Sequence, residues 1–359
     1  MKTLTSRTKF YLGLIALSLF GVGQSLFADG GANHMVRNQH FGVSGSNVND
    51  ITRAFCCGGT LGSLVTDGST KYILSNNHVF GRSDQAAPGE DISQPGLIDN
   101  GCSPATIVAD FTLAFPLGSN VDAAIAELRT GTMDGTGFIE DVGVPSSAVV
   151  APTVGLAVAK SGRTTGFTTA TVGSVNASVN VQYQKNCGSG KKFVISYTNQ
   201  VVINSSTFSA GGDSGSLIVT NDTNHNPVAL LYAGSSSTTI ANPASEVLSK
   251  LGTALGGSIS FVGSGRKPHG QSNALHSAQA HGPSQESVEF ATLSMKEREK
   301  DLLSRPSVIG VGVTASDSNP SEASIVVYVD TTTGVVPQLP RRINGVRVKA
   351  VFTEPFVAY

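Results

Sequence analysis

Charge is scarce in this sequence. Asp, Glu, Lys and Arg make up 14% of 359 residues, against roughly 25% in a typical soluble domain. The formal net charge is -1, so no sequence-wide basic field marks nucleic acid as a partner. Long apolar runs are scarce as well. Outside the first 28 residues no segment is apolar enough to span a membrane. Only four cysteines are present, Cys56, Cys57, Cys102 and Cys187, and their spacing matches no zinc signature. Gly310-Val311-Gly312-Val313 lacks the spacing of a dinucleotide fingerprint and reads as strand. Neither a metal nor a cofactor is expected.

What is abundant is glycine, 41 residues, together with Ser and Thr. That composition points to a loop-rich, mainly β, extracytoplasmic protein. The N-terminus agrees. Lys2, Arg7 and Lys9 precede an apolar run from Phe10 to Val22, and Ala28 offers a small residue before Asp29. Residues 1–28 therefore read as a signal peptide. The mature chain is expected to be secreted or periplasmic, with no stable membrane span after signal removal. In such a compartment an even cysteine count implies disulfides. One of the adjacent Cys56 and Cys57 is expected to bridge to Cys102. Cys187 is left for the other, or stays free.

Residues 29–49 form an N-terminal segment. From there to about residue 262, short apolar runs alternate with turn residues, as in a barrel or sandwich. Asp67-Gly68-Ser69 reads as a hairpin turn. Asn242 and Pro243 suit the start of a helix. Residues 263–289 have little apolar content and read as a flexible linker; the histidines there, His269, His276 and His281, read as solvated. Ser294 to Glu297 reads as a capping box opening a helix. Residues 290–359 are then a separate small α+β domain.

The chemistry gathers at Ser209 to Ile218, SAGGDSGSLI. Glycines there let backbone N–H groups approach a substrate. Ser214 is a poor nucleophile without a base, an acid to orient the base, and donors for an oxyanion. His78 follows an apolar strand in YILSNNHVF, and Asp122 opens VDAAIAEL. The order His78, Asp122, Ser214 has spacings of 44 and 92 residues. A G-x-S-x-G elbow is disfavoured, because its fifth position here is Ser216.

This order, GDSG, and CGGTL ahead of the histidine strand resemble the chymotrypsin-like serine peptidases. VGLAVAKSGRTTG resembles the corresponding segment of the α-lytic protease and streptogrisin group. The resemblance covers residues 50–262. It implies a double β-barrel of chymotrypsin type and an endopeptidase that forms an acyl-enzyme. His78 would be the base, Asp122 its orienting acid and Ser214 the nucleophile, with the N–H groups of Gly212 and Ser214 as oxyanion hole. Asp213 needs a cation, and Lys160 and Arg163 are the candidates. The primary pocket would be lined by Phe208, Ser209, Ala233, Gly234 and Ser235. No acid stands at its base, which disfavours Lys or Arg substrates, and its hydroxyls favour small or polar side chains. The family's usual serine on the substrate-binding strand is replaced, which removes a support from Asp122. The partners implied are protein or peptide substrates. The alternatives are a catalytically silent binding protein on this scaffold, or a protease acting mainly on its own tail. Extra domains in the resembled bacterial group assist folding or restrain activity, and the C-terminal unit is expected to do one of these or to serve as an anchor.

Overall fold

A computed structural model describes residues 34–265 and 282–359. The signal-peptide reading and the linker histidines fall outside these residues. No helix among the described residues is long and apolar enough to cross a membrane.

Seven strands build the first barrel-like sheet: β1 (Val43–Asn47), β2 (Gly59–Leu61), β3 (Ser63–Thr66), β4 (Lys71–Ser75), β5 (Asp91–Gln94), β6 (Thr106–Ala114) and β7 (Ala124–Leu128). The second begins with β8 (Ala157–Gly162), β9 (Gly166–Thr171), β10 (Ser174–Asn186), β11 (Ser189–Asn204), β12 (Leu217–Thr220), β13 (Pro227–Gly234) and β14 (Thr238–Pro243). The helix α1 (Ala244–Leu255) follows, and β15 (Ser260–Phe261) returns to pair with β3 of the first sheet. Two β-barrel-like sheets lying side by side give the chymotrypsin architecture.

The first core gathers Leu64, Ile73, Leu74, Phe111 and Ile125 with Phe41 and Phe80. Ile73 and Leu74 are neighbours on β4 and take opposite faces, so that strand is covered on both sides. Leu217 and Leu230 of the second sheet join the same cluster, so the two sheets share apolar burial at their seam. Asp67-Gly68-Ser69 makes the β3–β4 turn, with Gly68 at φ 97° and the Asp67 carboxylate accepting from the N–H groups of Ser69 and Thr70.

Four expectations need correction. The barrel starts before residue 50, because β1 pairs with β2 and β5 and Phe41 is fully buried. The helix after β14 is preceded by Pro243 as its cap residue. Asn242 instead turns inward, where its Oδ1 accepts from the Asp122 N–H. The next helix, α2 (Gln285–Lys296), begins inside the expected linker, and Ser284 caps it by accepting from the Ser287 N–H. Ser294 is buried in its interior, because Ala291 and Met295 fix the inward stripe.

The fourth concerns the C-terminal unit. After α3 (Glu299–Leu303) come β16 (Val308–Ala315), β17 (Ala323–Asp330), β18 (Arg342–Ile343), β19 (Val346–Thr353) and β20 (Phe356–Ala358). They have their own core of Ala291, Met295, Val311, Ile325 and Val327. They are not sheet-independent of the barrel, however. β16 pairs antiparallel with β10, which makes one 12-stranded sheet. The β10 edge is thereby closed by the chain's own strand.

Candidate active site

His78 sits in a single turn of π-helix, Asn77–Gly81, directly after β4. Asn77 anchors that turn by donating from Nδ2 to the Phe115 carbonyl. Asp122 lies just ahead of β7, fully buried. A buried carboxylate is costly unless hydrogen-bonded, and this one is held from several sides. His78 Nδ1 lies 2.6 Å from Asp122 Oδ2, and the His78 N–H donates to Oδ1 at 3.3 Å. Asn76 Nδ2 donates to the Asp122 carbonyl at 2.7 Å.

The missing serine's support comes from elsewhere. The Tyr183 hydroxyl, on β10, donates to Asp122 Oδ2 at 2.9 Å and lies 2.7 Å from the Tyr197 hydroxyl on β11. Burial first, and the Asp122 charge second, raise the Tyr183 pKa well above the ordinary phenol value. It therefore stays a donor. In the sequence Tyr183 looks like any inward aromatic of a strand; only the β10–β11 pairing shows that it faces the acid. Tyr183→Phe removes one hydrogen bond to a charged group, about 1.5–3 kcal/mol. We expect a fall in kcat of about 10-fold or more with KM little changed and the fold intact. An unchanged kcat would mean that this hydroxyl does not position the acid.

Ser214 is fully buried on the loop before β12. Its Oγ donates to the Tyr232 carbonyl at 3.1 Å. Gly212 has φ 97°, a conformation open to glycine, and Thr60 Oγ1 donates to its carbonyl at 2.9 Å. Among the described residues, the N–H groups of Gly212 and Ser214 donate to no protein acceptor. Buried unpaired N–H groups are rare, and two in one loop form an anion-ready recess.

Behind this loop Asp213 is fully buried and accepts from the N–H groups of Thr164, Thr165 and Ala210 and from Thr165 Oγ1. Its cation is Lys160, 3.3 Å away and also fully buried. Burial lowers the Lys160 pKa, opposed by the Asp213 charge. Arg163 is not its partner. The guanidinium forks onto Asp99, in the turn between β5 and β6, with two contacts of 2.6 Å. Lys160 lies within β8 and points inward; Arg163 lies past its end, where its guanidinium reaches Asp99 and the Thr164 hydroxyl.

Phe208 is fully buried beneath the ammonium of Lys160, 5.9 Å from the ring centre. Ser209, Gly234 and Ser235 meet the side chain of Tyr359, whose hydroxyl donates to the Ser235 carbonyl at 2.9 Å, and Ala233 pairs with the preceding Ala358. An aromatic ring fills the recess where small or polar groups were expected. Burial raises the Tyr359 pKa to about 12. Both pairs of cysteines are joined, Cys56 to Cys102 and Cys57 to Cys187. The second ties the β10–β11 turn to the loop between β1 and β2. It also borders a cavity of about 180 Å³ beside His78, lined in part by Asp50, Arg82 and Lys185. Asp50 is pushed up to about 6 by burial.

His78 and Asp122 thus meet at hydrogen-bond distance, while the Ser214 hydroxyl is bonded to the Tyr232 carbonyl and His78 Nε2 faces Tyr359. The chain resembles the chymotrypsin-like serine peptidases.

Residues 101–243 match the model of a family described as the Nal1 C-terminal domain. A glutamic-acid-specific serine protease of known structure is 22% identical, with TM-score 0.43, covering 62% of this chain and 98% of its own. Thermobifida fusca protease A is 17% identical, with TM-score 0.40, covering 58% and 92%. Nocardiopsis protease is 15% identical, with TM-score 0.40, covering 63% and 98%. No curated protein matches the chain.

Proposed function

We propose that the protein is an exported serine endopeptidase that works through His78, Asp122 and Ser214. The observation that carries this reading is the buried His78–Asp122 pair at 2.6 Å, in a fold whose glycine-rich loop holds Ser214 and two undonated N–H groups. In the mechanism Ser214 Oγ attacks the carbonyl carbon of a peptide while His78 Nε2 takes the hydroxyl proton. Asp122 keeps Nδ1 as the donor and stabilises the imidazolium. The N–H groups of Gly212 and Ser214 receive the oxyanion. His78 then gives its proton to the leaving amine, and water, deprotonated by the same histidine, releases the acyl group.

Burial disfavours the charged form of His78. The Asp122 charge, the hydrogen bonds to Asp122 and Tyr359, and the more distant Asp50 outweigh that, and the pKa is raised. A base with a raised pKa holds its proton to higher pH. The activity limb should therefore lie above the free-residue value of about 6.5. The test is hydrolysis of a defined peptide library from pH 5 to 9, with product masses read. Cuts at interior bonds, rising along that limb, are expected. No cleavage at any pH would contradict the reading.

A second reading, a silent peptidase-fold binding protein, is favoured by one observation. Ser214 Oγ donates to Tyr232, and His78 Nε2 faces Tyr359 instead. The same library decides between the two.

A further inference from the structure

The segment Phe356–Tyr359 lies inside the cleft just described. β20 is inserted between two strands of the second sheet. It pairs antiparallel with β13, Ala358 opposite Ala233 and Val357 opposite Gly234, and parallel with β10. Phe356 anchors it, buried against Tyr328 with ring centres 5.6 Å apart. Beyond it the Tyr359 N–H points at the Tyr232 carbonyl at 3.4 Å, and the Tyr359 main-chain oxygen lies 2.9 Å from His78 Nε2. The ring rests on Gly234: a Cβ there would sit 2.2 Å from the Tyr359 hydroxyl. This is recognition by strand addition, with backbone pairing for affinity and one pocket for the side chain.

Direction and register matter. The segment runs toward His78 along the strand that would pair with the acyl side of a substrate, and its main-chain oxygen rests on the base rather than on the N–H groups of Gly212 and Ser214. Asp122 is an acceptor on Nδ1, and a main-chain oxygen is an acceptor on Nε2. Both ring nitrogens must then carry protons, so the occupied cleft holds His78 as imidazolium, the form that cannot deprotonate Ser214.

The geometry points to Phe356–Tyr359 as an intramolecular occupant of the acyl side of the cleft, one that restrains hydrolysis. The pocket it fills selects substrates with a tyrosine-like ring immediately before the scissile bond. This rests on the serine peptidase reading. A tethered segment acts at an effective concentration in the millimolar range. If the same tetrapeptide binds in trans at about 0.1 mM, the restraint is about 10-fold.

The experiment compares the wild-type chain, Tyr359→Ala and Tyr359→Phe on peptide anilides Phe-Val-Ala-X, with X as Tyr, Ala, Glu or Lys. We expect Tyr359→Ala to cleave the Tyr anilide about 10-fold faster than wild type. The ring-retaining Tyr359→Phe should stay nearer wild type. The Tyr anilide should be preferred over the other three by 10-fold or more, and free Phe-Val-Ala-Tyr should inhibit Tyr359→Ala. Equal rates for all three proteins, or a preference for Ala, Glu or Lys, would overturn the inference and leave the peptidase reading standing. If no protein cleaves anything, the peptidase reading fails, and binding of fluorescein-labelled Phe-Val-Ala-Tyr decides the occupancy separately. Binding to Tyr359→Ala but not to wild type supports it; equal binding, or none, overturns it.

Discussion

Ser214→Ala is expected to lower kcat for peptide hydrolysis by about 10⁴- to 10⁶-fold. The reason is chemical rather than structural. The hydroxyl is the proposed electron-pair donor, and the remaining methyl group keeps the volume of the loop. His78→Ala should be as damaging, because His78 is the proposed acceptor of the Ser214 proton. Members of such a unit are not additive, so the double variant should be no worse than either single one. Asp122→Asn should leave more activity, since an amide still occupies the site but stabilises no imidazolium. Progress curves on a cleaved library peptide measure all of these. Ser214→Ala hydrolysing at the wild-type rate would end the mechanism.

The second large effect is on folding. Lys160→Met leaves the Asp213 carboxylate buried with N–H and hydroxyl donors but no cation. Breaking such a pair costs on the order of 3–5 kcal/mol. The shift in denaturant midpoint should be matched by slower reaction at Ser214, because Asp213 sits between Gly212 and Ser214 and its carboxylate fixes the Thr164–Thr165 turn. Adding Asp213→Asn removes the orphaned charge and should recover part of the loss. Arg163→Met should be milder, because Arg163 and Asp99 keep some contact with solvent, 12% and 8% exposed, whereas Lys160 and Asp213 have none. Equal midpoints for wild type and Lys160→Met would refute the pairing as a structural element.

The parts of this molecule that local chemistry dictates were legible in the sequence. A hairpin at Asp67-Gly68-Ser69 follows from turn propensity, and a histidine after an apolar strand, an acid at a strand start and GGDSGS can be read in order. Parts set by non-local pairing were not. Tyr183 and an ordinary core tyrosine are the same letter, and only the β10–β11 register turns its hydroxyl toward Asp122. Lys160 and Arg163 stand three residues apart with the same charge. Strand alternation sends one inward and leaves the other past the strand end. The apolar runs at 308–315 and 323–330 gave strands but not their neighbour, so a domain that shares its sheet with the barrel looked separate. The segment at 356–359 carried no signal of its own, because a short β-prone stretch fits any unfilled edge.

The most direct measurement is reaction with a fluorophosphonate, a serine-directed phosphorylating probe, read by intact mass and by the mass of the modified peptide. The probe should add once, on Ser214, faster in Tyr359→Ala than in wild type, and not at all in Ser214→Ala or His78→Ala. An adduct absent from both wild type and Tyr359→Ala, or one that persists in Ser214→Ala, would contradict the account.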